Sequence, residues 1–188
     1  GGFPGTLCTS VNEQGVHGIP SNERVLQDGD LLSIDVGVVR KGFYADAAAR
    51  YMVGPSDEQH ERLLDCAKRS LAAGIEQAVP GKRIGDIGHA VDSVARKENY
   101  SVVRDLVGHG IGQNLHEDPQ VPNYGKPDSG YKLKEGLVIA IEPMVNEGTH
   151  EIRTLDDNWT VVTADGKLSA HIEHTVALGS NGPEILTN

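Results

Sequence analysis

The spacing of apolar and polar positions changes period several times along the chain. Residues 31–39, LLSIDVGVV, form a β-rich run; RKG follows as a turn and FYADAAARYMVG returns as a second strand, which predicts a hairpin. Before it, residues 1–30 mix short apolar runs with Gly, Pro and Asn, a pattern of loops around one short strand near Leu7–Val11. After it, Ser56 with Gln59 reads as a capping box. It opens a helix whose apolar positions Leu63, Leu64, Ala67, Leu71, Ala72 and Ile75 recur at helical spacing until Pro80-Gly81. A second amphipathic helix carries Ile84, Ile87, Val91, Val94 and Ala95 on one face. SVVRDLV, 101–107, reads as a strand leading into the Gly-rich GHGIG, and a polar loop covers 112–134. GLVIAIEPMV, 136–145, reads as one buried strand, and 151–178 as successive short strands turning at Asp156-Asp157 and Asp165-Gly166. No low-complexity tract interrupts the pattern.

Two of these strands break their own alternation with an acid. Asp35 stands between Ile34 and Val36, and Asp46 lies across the predicted turn. If Arg40-Lys41 form the turn, Asp35 faces Asp46 directly, with Cβ atoms about 5 Å apart. If Lys41-Gly42 form it, Asp46 slips by two positions and stays on the same face. Glu142 in AIEPM and Glu173 in HIEHT repeat the anomaly. A lone acid in an apolar run is as readily an ion-pair partner as a ligand. Four of them, in strands that hold few basic residues, call for a different compensation, and the economical one is one or two divalent cations. His109, between Gly108 and Gly110, joins the set: flanking glycines allow close backbone approach and free the ring to reach inward. GHGIG does not have the GxGxxG spacing of a dinucleotide loop.

Composition narrows the picture. The 188 residues suit one domain with ample apolar material. A net charge of −10, from 17 Lys+Arg against 27 Asp+Glu, argues against nucleic acid or an anionic membrane as main partner. Two distant cysteines, Cys8 and Cys66, form no CxxC motif, and no signal-like n-region precedes an apolar stretch; both point to a reducing, cytoplasmic setting. No run approaches the roughly 20 apolar residues of a membrane span. Four carboxylates and one imidazole form a hard, oxygen-rich donor set that suits Mn, Fe, Co or Zn. Two such ions can activate water to hydrolyse amides or phosphoesters, and the scarcity of Lys and Arg in these strands favours amides. His17 in GVHGIP and His116 in NLHEDP are candidates to hydrogen-bond a scissile carbonyl. His174 should point away from Glu173's face and is read as structural. His60, His89 and His150 are read as solvated.

On these residues the chain resembles the type I methionine aminopeptidases of peptidase family M24. The likeness runs through GFP…CTSVNE…VHGIP, DGDLLSIDVGV…GFYADAA, VGHGIGQNLHEDPQVPNY, LKEGLVIAIEPMV and EIRTLDDNWTVVTADGKLSAHIEHT. It implies an α/β (α+β) pita-bread fold: pseudo-twofold halves with a curved antiparallel sheet flanked by helices, forming one catalytic domain over residues 1–188. It implies two divalent ions, with Asp35 chelating one, His109 and Glu142 the other, and Asp46 and Glu173 bridging. It further implies that Glu142 shuttles a proton, that His116 contacts the substrate and stabilises its tetrahedral intermediate, and that His17 sits near the leaving amide. Cys8 and Trp159 match positions lining the methionine pocket. The activity implied is removal of the initiator methionine from nascent polypeptides with a small second residue, at the ribosome and by a monomer.

Three departures from that pattern stand out. The family's catalytic domain begins earlier, with a helix and aromatic residues that complete the pocket. Leu115 replaces an aromatic carried by many members, which should loosen the rim. His171 stands where some carry Gln, two residues before Glu173, in a position to tune a neighbouring ligand or His116 by hydrogen bonding. Two rival readings remain at this stage: a Xaa-Pro aminopeptidase of the same fold, and an inactive binding module. The first should carry a different His-rich loop and a larger N-terminal domain; the second should have lost ligands.

Overall fold

The computed structural model describes residues 2–188. In chain order the elements are β1 (Cys8–Val11), β2 (Gln14–Val16), β3 (Leu31–Arg40), β4 (Phe43–Met52), α1 (Glu58–Gln77), α2 (Ile84–Lys97), β5 (Ser101–Val102), β6 (Gly108–Gly110), β7 (Glu117–Val121), β8 (Val138–Ile141), β9 (Met144–Asn146), β10 (Ile152–Thr154), β11 (Val161–Thr163), β12 (Ser169–His171), β13 (Glu173–Gly179) and β14 (Gly182–Ile185). The main sheet is antiparallel and curled, in the order β1-β3-β4-β13-β8-β6-β7, with β14 also paired to β13. Two three-stranded sheets, β10-β11-β2 and β12-β9-β5, extend it.

The β3–β4 hairpin is the longest in the chain, with ten residues in each strand. Its turn is Lys41-Gly42, with φ of 52° and 82°, the two left-handed residues that a twisted hairpin favours. Gly42 takes that conformation without strain, and this selects the second of the two registers considered. Asp35 therefore pairs with Ala48 and Asp46 with Gly37, so the acids are diagonal neighbours on one face rather than directly opposed.

Helix α1 begins one residue later than the Ser56/Gln59 box predicts. Asp57 is the N-cap, and its carboxylate accepts from the His60 amide at 2.9 Å. The apolar faces of α1 and α2 pack together and onto one face of the sheet. Leu63, Ala67, Leu71, Ile87, Val91 and Ala95 meet Ile139, Ile141, Val176 and Leu178. Because side chains alternate along a strand, that choice of face decides the rest. With Ile139 and Ile141 turned to the helices, Ala140 is turned away; with Val176 and Leu178 inward, Glu173 and Thr175 share the opposite face.

Several predicted elements differ in detail. GLVIAIEPMV is two strands in different sheets, β8 and β9, broken at Glu142-Pro143, because Pro143 has no N–H to continue the ladder. Its partner breaks in step: β12 pairs with β9 and β13 with β8, with His171 opposite Met144 and His174 opposite Ile141. The register carries through the break, which sets Glu142 and Glu173 against each other where both strands change sheet. SVVRDLV holds only the short β5, and the Gly-His-Gly that follows is itself strand β6. The polar segment 112–134 contains strand β7. Arg50 is 4% exposed, and its guanidinium donates to the carbonyls of Asn12, Gln14 and Leu31, tying the β1–β2 turn to the hairpin.

Candidate metal centre

Two cross-strand rows lay out the site. Along the first, Cys8 pairs with Asp35, Asp35 with Ala48 and Ala48 with Glu173. Along the second, Gly37 pairs with Asp46, Thr175 with Ala140 and Ala140 with His109. The rows join at Asp46, whose amide donates to Thr175 Oγ1 at 2.9 Å while that hydroxyl donates back to the Asp46 carbonyl at 2.7 Å. Small residues at Gly37, Ala48 and Ala140 leave open volume between the acids.

Strand β6 delivers the imidazole. A Cβ on Gly108 would stand 2.4 Å from the Ala140 carbonyl oxygen, and one on Gly110 2.2 Å from that of Asp118. Glycine at both positions is thus required by the closeness of β8 and β7, and it lets His109 close the far end of the second row. His109 Nδ1 donates to the Gly110 carbonyl at 2.9 Å, which leaves the Nε2 lone pair facing the acids. Nε2 lies 3.5 Å from Glu142 Oε1 and 3.9 Å from Asp46 Oδ2. Ligand atoms of Asp46, His109 and Glu173, all buried, lie within 4.8 Å of one another. Asp35 is the diagonal neighbour of Asp46 on the same face of the hairpin.

The electrostatics of the cluster are those of uncompensated negative charge. Burial, then the charge of Asp46, pushes Asp35 up to about 7. Burial, then Asp46 and Asp35, holds Glu142 well above the usual carboxylate range. Glu173 is raised by burial and then by Glu142, Asp46 and Asp35. Burial lowers His109, keeping its ring neutral. Glu173 Oε1 is buried with no hydrogen-bond partner. Crowded acids that resist ionising, an orphaned carboxylate oxygen and a lone pair aimed at them are what a divalent-cation site looks like before its ions are counted. The residues present fit such a group.

A cavity of about 320 Å³ opens beside the acids, lined by Phe3, Cys8, His17, Leu115, His116 and Trp159 together with Asp35 and Asp46. Phe3 meets Trp159 edge to face at 5.3 Å between centroids, and His17 stands over the same indole at 6.4 Å. His116 packs on His109 at 4.4 Å. Burial, followed by the charges of Asp35, Asp46 and Glu173, pushes the Cys8 thiol up to about 12, so it lines the cavity as a neutral, polarisable surface. Leu115 lies over Gly37 at the rim. Every residue singled out in the sequence as ligand, catalyst or pocket wall thus comes together here. Phe3 was not singled out; it stands in the quoted GFP, but its only signal is being aromatic.

His171 faces Glu142, not His116: its Nε2 is 3.8 Å from Glu142 Oε2. The remaining histidines lie off the site. His174 bonds Thr187 Oγ1 at 3.0 Å in the structural role expected of it. His60 and His150 are half-buried rather than solvated, His60 being held by Asp57 at 2.7 Å, while His89 is exposed.

A curled antiparallel sheet with buried acids and one imidazole gathered on its inner face defines a divalent-metal hydrolase. Residues 1–180 match metallopeptidase family M24. The methionine aminopeptidase of Clostridium acetobutylicum is 51% identical over 187 residues, covering 100% of this chain and 75% of the relative. The crystal structure of methionine aminopeptidase from Thermotoga maritima superposes with a TM-score of 0.95 at 47% identity, over 97% of this chain and 73% of that one. A prolidase from Pyrococcus horikoshii shares the pita-bread fold, with a TM-score of 0.77, but at 22% identity and over 47% of its own length it bears on fold alone. The chain belongs to metallopeptidase family M24, and within it to the methionine aminopeptidases. The rival Xaa-Pro reading therefore has only the shared fold in its favour, and the inactive-module reading meets the buried cluster of Asp46, His109 and Glu173. Among the described residues no helix is long and apolar enough to cross a membrane.

Proposed function

We propose that this chain removes the N-terminal methionine from nascent proteins and peptides whose second residue is small, using two divalent ions held by Asp35, Asp46, His109, Glu142 and Glu173. The observation that carries the reading is the adjacency of the acid cluster to the apolar, sulfur- and indole-lined cavity: one end takes an unbranched thioether while the other faces the first peptide bond. Four carboxylates would be balanced by two dications, and the mixed oxygen and imidazole donors suit Mn, Fe, Co or Zn. Bound there, the ions supply Lewis-acid polarisation and activate water for attack.

The chain's own residues do the remainder. Cys8, Trp159 and Phe3 hold the methionine side chain. His116, packed edge to face against His109, donates to the scissile carbonyl as negative charge develops on its oxygen. His17, lowered by burial and neutral at physiological pH, is placed beside the leaving amide. Glu142, whose second oxygen is directed away from His109, is the group to take up and return the proton of the attacking water. A cavity of about 320 Å³ has room for one side chain, which suits an exopeptidase that stops after one residue. The fitting setting is the cytoplasm, with a monomer meeting nascent N-termini at the ribosome. The test is cleavage of Met-Gly-Met-Met against Met-Leu and Xaa-Pro peptides, with and without Mn²⁺ or Co²⁺. Ion-dependent release of methionine from the first peptide alone is expected; ion-independent cleavage, or preference for Xaa-Pro, would overturn the reading.

A further inference from the structure

Beside Glu142 lies a polar side chain to which none of the roles above gives a task. His171 is 2% exposed, at the end of β12 just before the strand changes sheet. Both of its ring nitrogens lack a hydrogen-bond partner. A neutral imidazole has one donor and one acceptor, and burying both unpaired is unfavourable unless the group has a use. The backbone around it is pinned: His171 pairs with Met144 across the ladder, and its carbonyl accepts from Ser33 Oγ at 3.3 Å. The ring is therefore held where it is, with Nε2 directed at Glu142 Oε2.

Glu142 divides its two oxygens. Oε1 lies 3.5 Å from His109 Nε2, and Oε2 lies 3.8 Å from His171 Nε2. The Glu142 backbone is fixed by Asn123, which donates to its carbonyl at 3.2 Å. Only the side-chain torsions remain free, and a small rotation brings Oε2 within hydrogen-bond range of the ring. An ionised carboxylate accepts and never donates, so the ring must present Nε2–H.

We propose that His171 is the positioning residue for Glu142: its neutral Nε2–H holds Oε2 aside, so that Oε1 alone is presented to the cations. The inference rests on the reading above in taking Glu142 as a ligand. It assigns the residue a task in the geometry of that ligand and none in contact with substrate. Glutamine places an N–H₂ at a similar reach from the backbone and should substitute; an apolar side chain of similar size should not.

The test compares the parent chain with His171→Gln and His171→Leu, reading Mn²⁺ affinity by calorimetry and kcat and KM separately on Met-Gly-Met-Met. Leucine is expected to weaken Mn²⁺ binding and lower kcat by about 10- to 100-fold while leaving KM near the parent value. Glutamine is expected to restore both. Nitrogen NMR of the histidine-labelled parent needs no variant, and should find the His171 proton on Nε2. Parent-like Mn²⁺ affinity and kcat in the leucine variant, a glutamine variant as impaired as the leucine one, or a proton resident on Nδ1 would each overturn the proposal. A parent that binds Mn²⁺ but leaves every methionyl peptide intact would sink the proposed activity while the Mn²⁺ arm still decided the role of His171. A parent that took up no Mn²⁺ would sink both.

Discussion

Asp46 is the residue through which most of the site is connected. It pairs with Gly37, exchanges two hydrogen bonds with Thr175, is the diagonal neighbour of Asp35 and lies 3.9 Å from His109. Asp46→Asn keeps the shape and removes the charge. The expected outcome is loss of both Mn²⁺ uptake and peptide cleavage with the fold retained, checked by calorimetry, assay and circular dichroism. The acids also set the pH response of the metal-free chain. Asp35 rises from 3.8 to about 7, so its folded form loses stability as pH climbs through that interval. Burial lowers His171 to about 3, and buried His109 and His17 are lowered too; their contribution is lost instead as pH falls below 6.5, the value in the unfolded chain. The two trends oppose each other as the pH climbs through this range, and Asp35→Asn removes only the first. Between pH 4 and 7 the Tm of the metal-free parent should therefore rise less, or fall more, than that of Asp35→Asn. An equal slope in both would contradict the assignment. At this scale the sequence was legible, because a carboxylate inside an apolar strand is an anomaly whatever the fold. The facing of His171 was half legible: its spacing from Glu173 placed it near the ligands, but only the change of sheet at Glu142 decides which of them it meets.

Elements were read less well wherever tertiary contacts override local preference. The Gly-rich GHGIG carries no strand signal of its own, because glycine is depleted in strands. The structure makes its Gly-His-Gly strand β6, wedged so tightly between β7 and β8 that no side chain fits at Gly108 or Gly110. Gly110→Ala, with its Cβ 2.2 Å from the Asp118 oxygen, should push β7 away. An overpacking cost of about 1–3 kcal/mol is expected, or roughly 2–4 °C of Tm per kcal/mol in a chain of this size, with weaker Mn²⁺ binding through displacement of His109. Thermal melts and calorimetry on the variant check both. The hairpin shows the reverse: its existence was plain, but its register turned on which dipeptide formed the turn, and positive φ at Lys41-Gly42 decided it. The continuous run GLVIAIEPMV concealed a transfer between sheets, since both halves are equally buried and only Pro143 hinted at the break.

For the molecule as a whole, the helices and the ions act on opposite faces of one sheet. Packing of α1 and α2 supplies a core independent of metal, so the chain should fold without it; Leu71→Ala, a residue only 5% exposed, should cost about 2–5 kcal/mol with or without ions. Cation binding adds to that by mass action: Mn²⁺ at a hundredfold excess over its Kd contributes about 2.7 kcal/mol. A Tm rise that a chelator reverses is expected, and an unchanged Tm would count against the centre. The pita-bread plan reached the sequence reading through resemblance, because strand order across a curled sheet leaves no periodic trace. The net charge of −10 was legible from composition, and the acid cluster accounts for part of it.

The paired crossing of β8–β9 and β13–β12 carries one more implication. Two ribbons pass together from one sheet to another, and the donors Glu142 and Glu173 sit at the crease. Ions gripped there would act as a rivet through a hinge, locking the angle between the sheets. Amide exchange in 144–146 and 169–171 should then slow when Mn²⁺ is added and quicken again once it is stripped away.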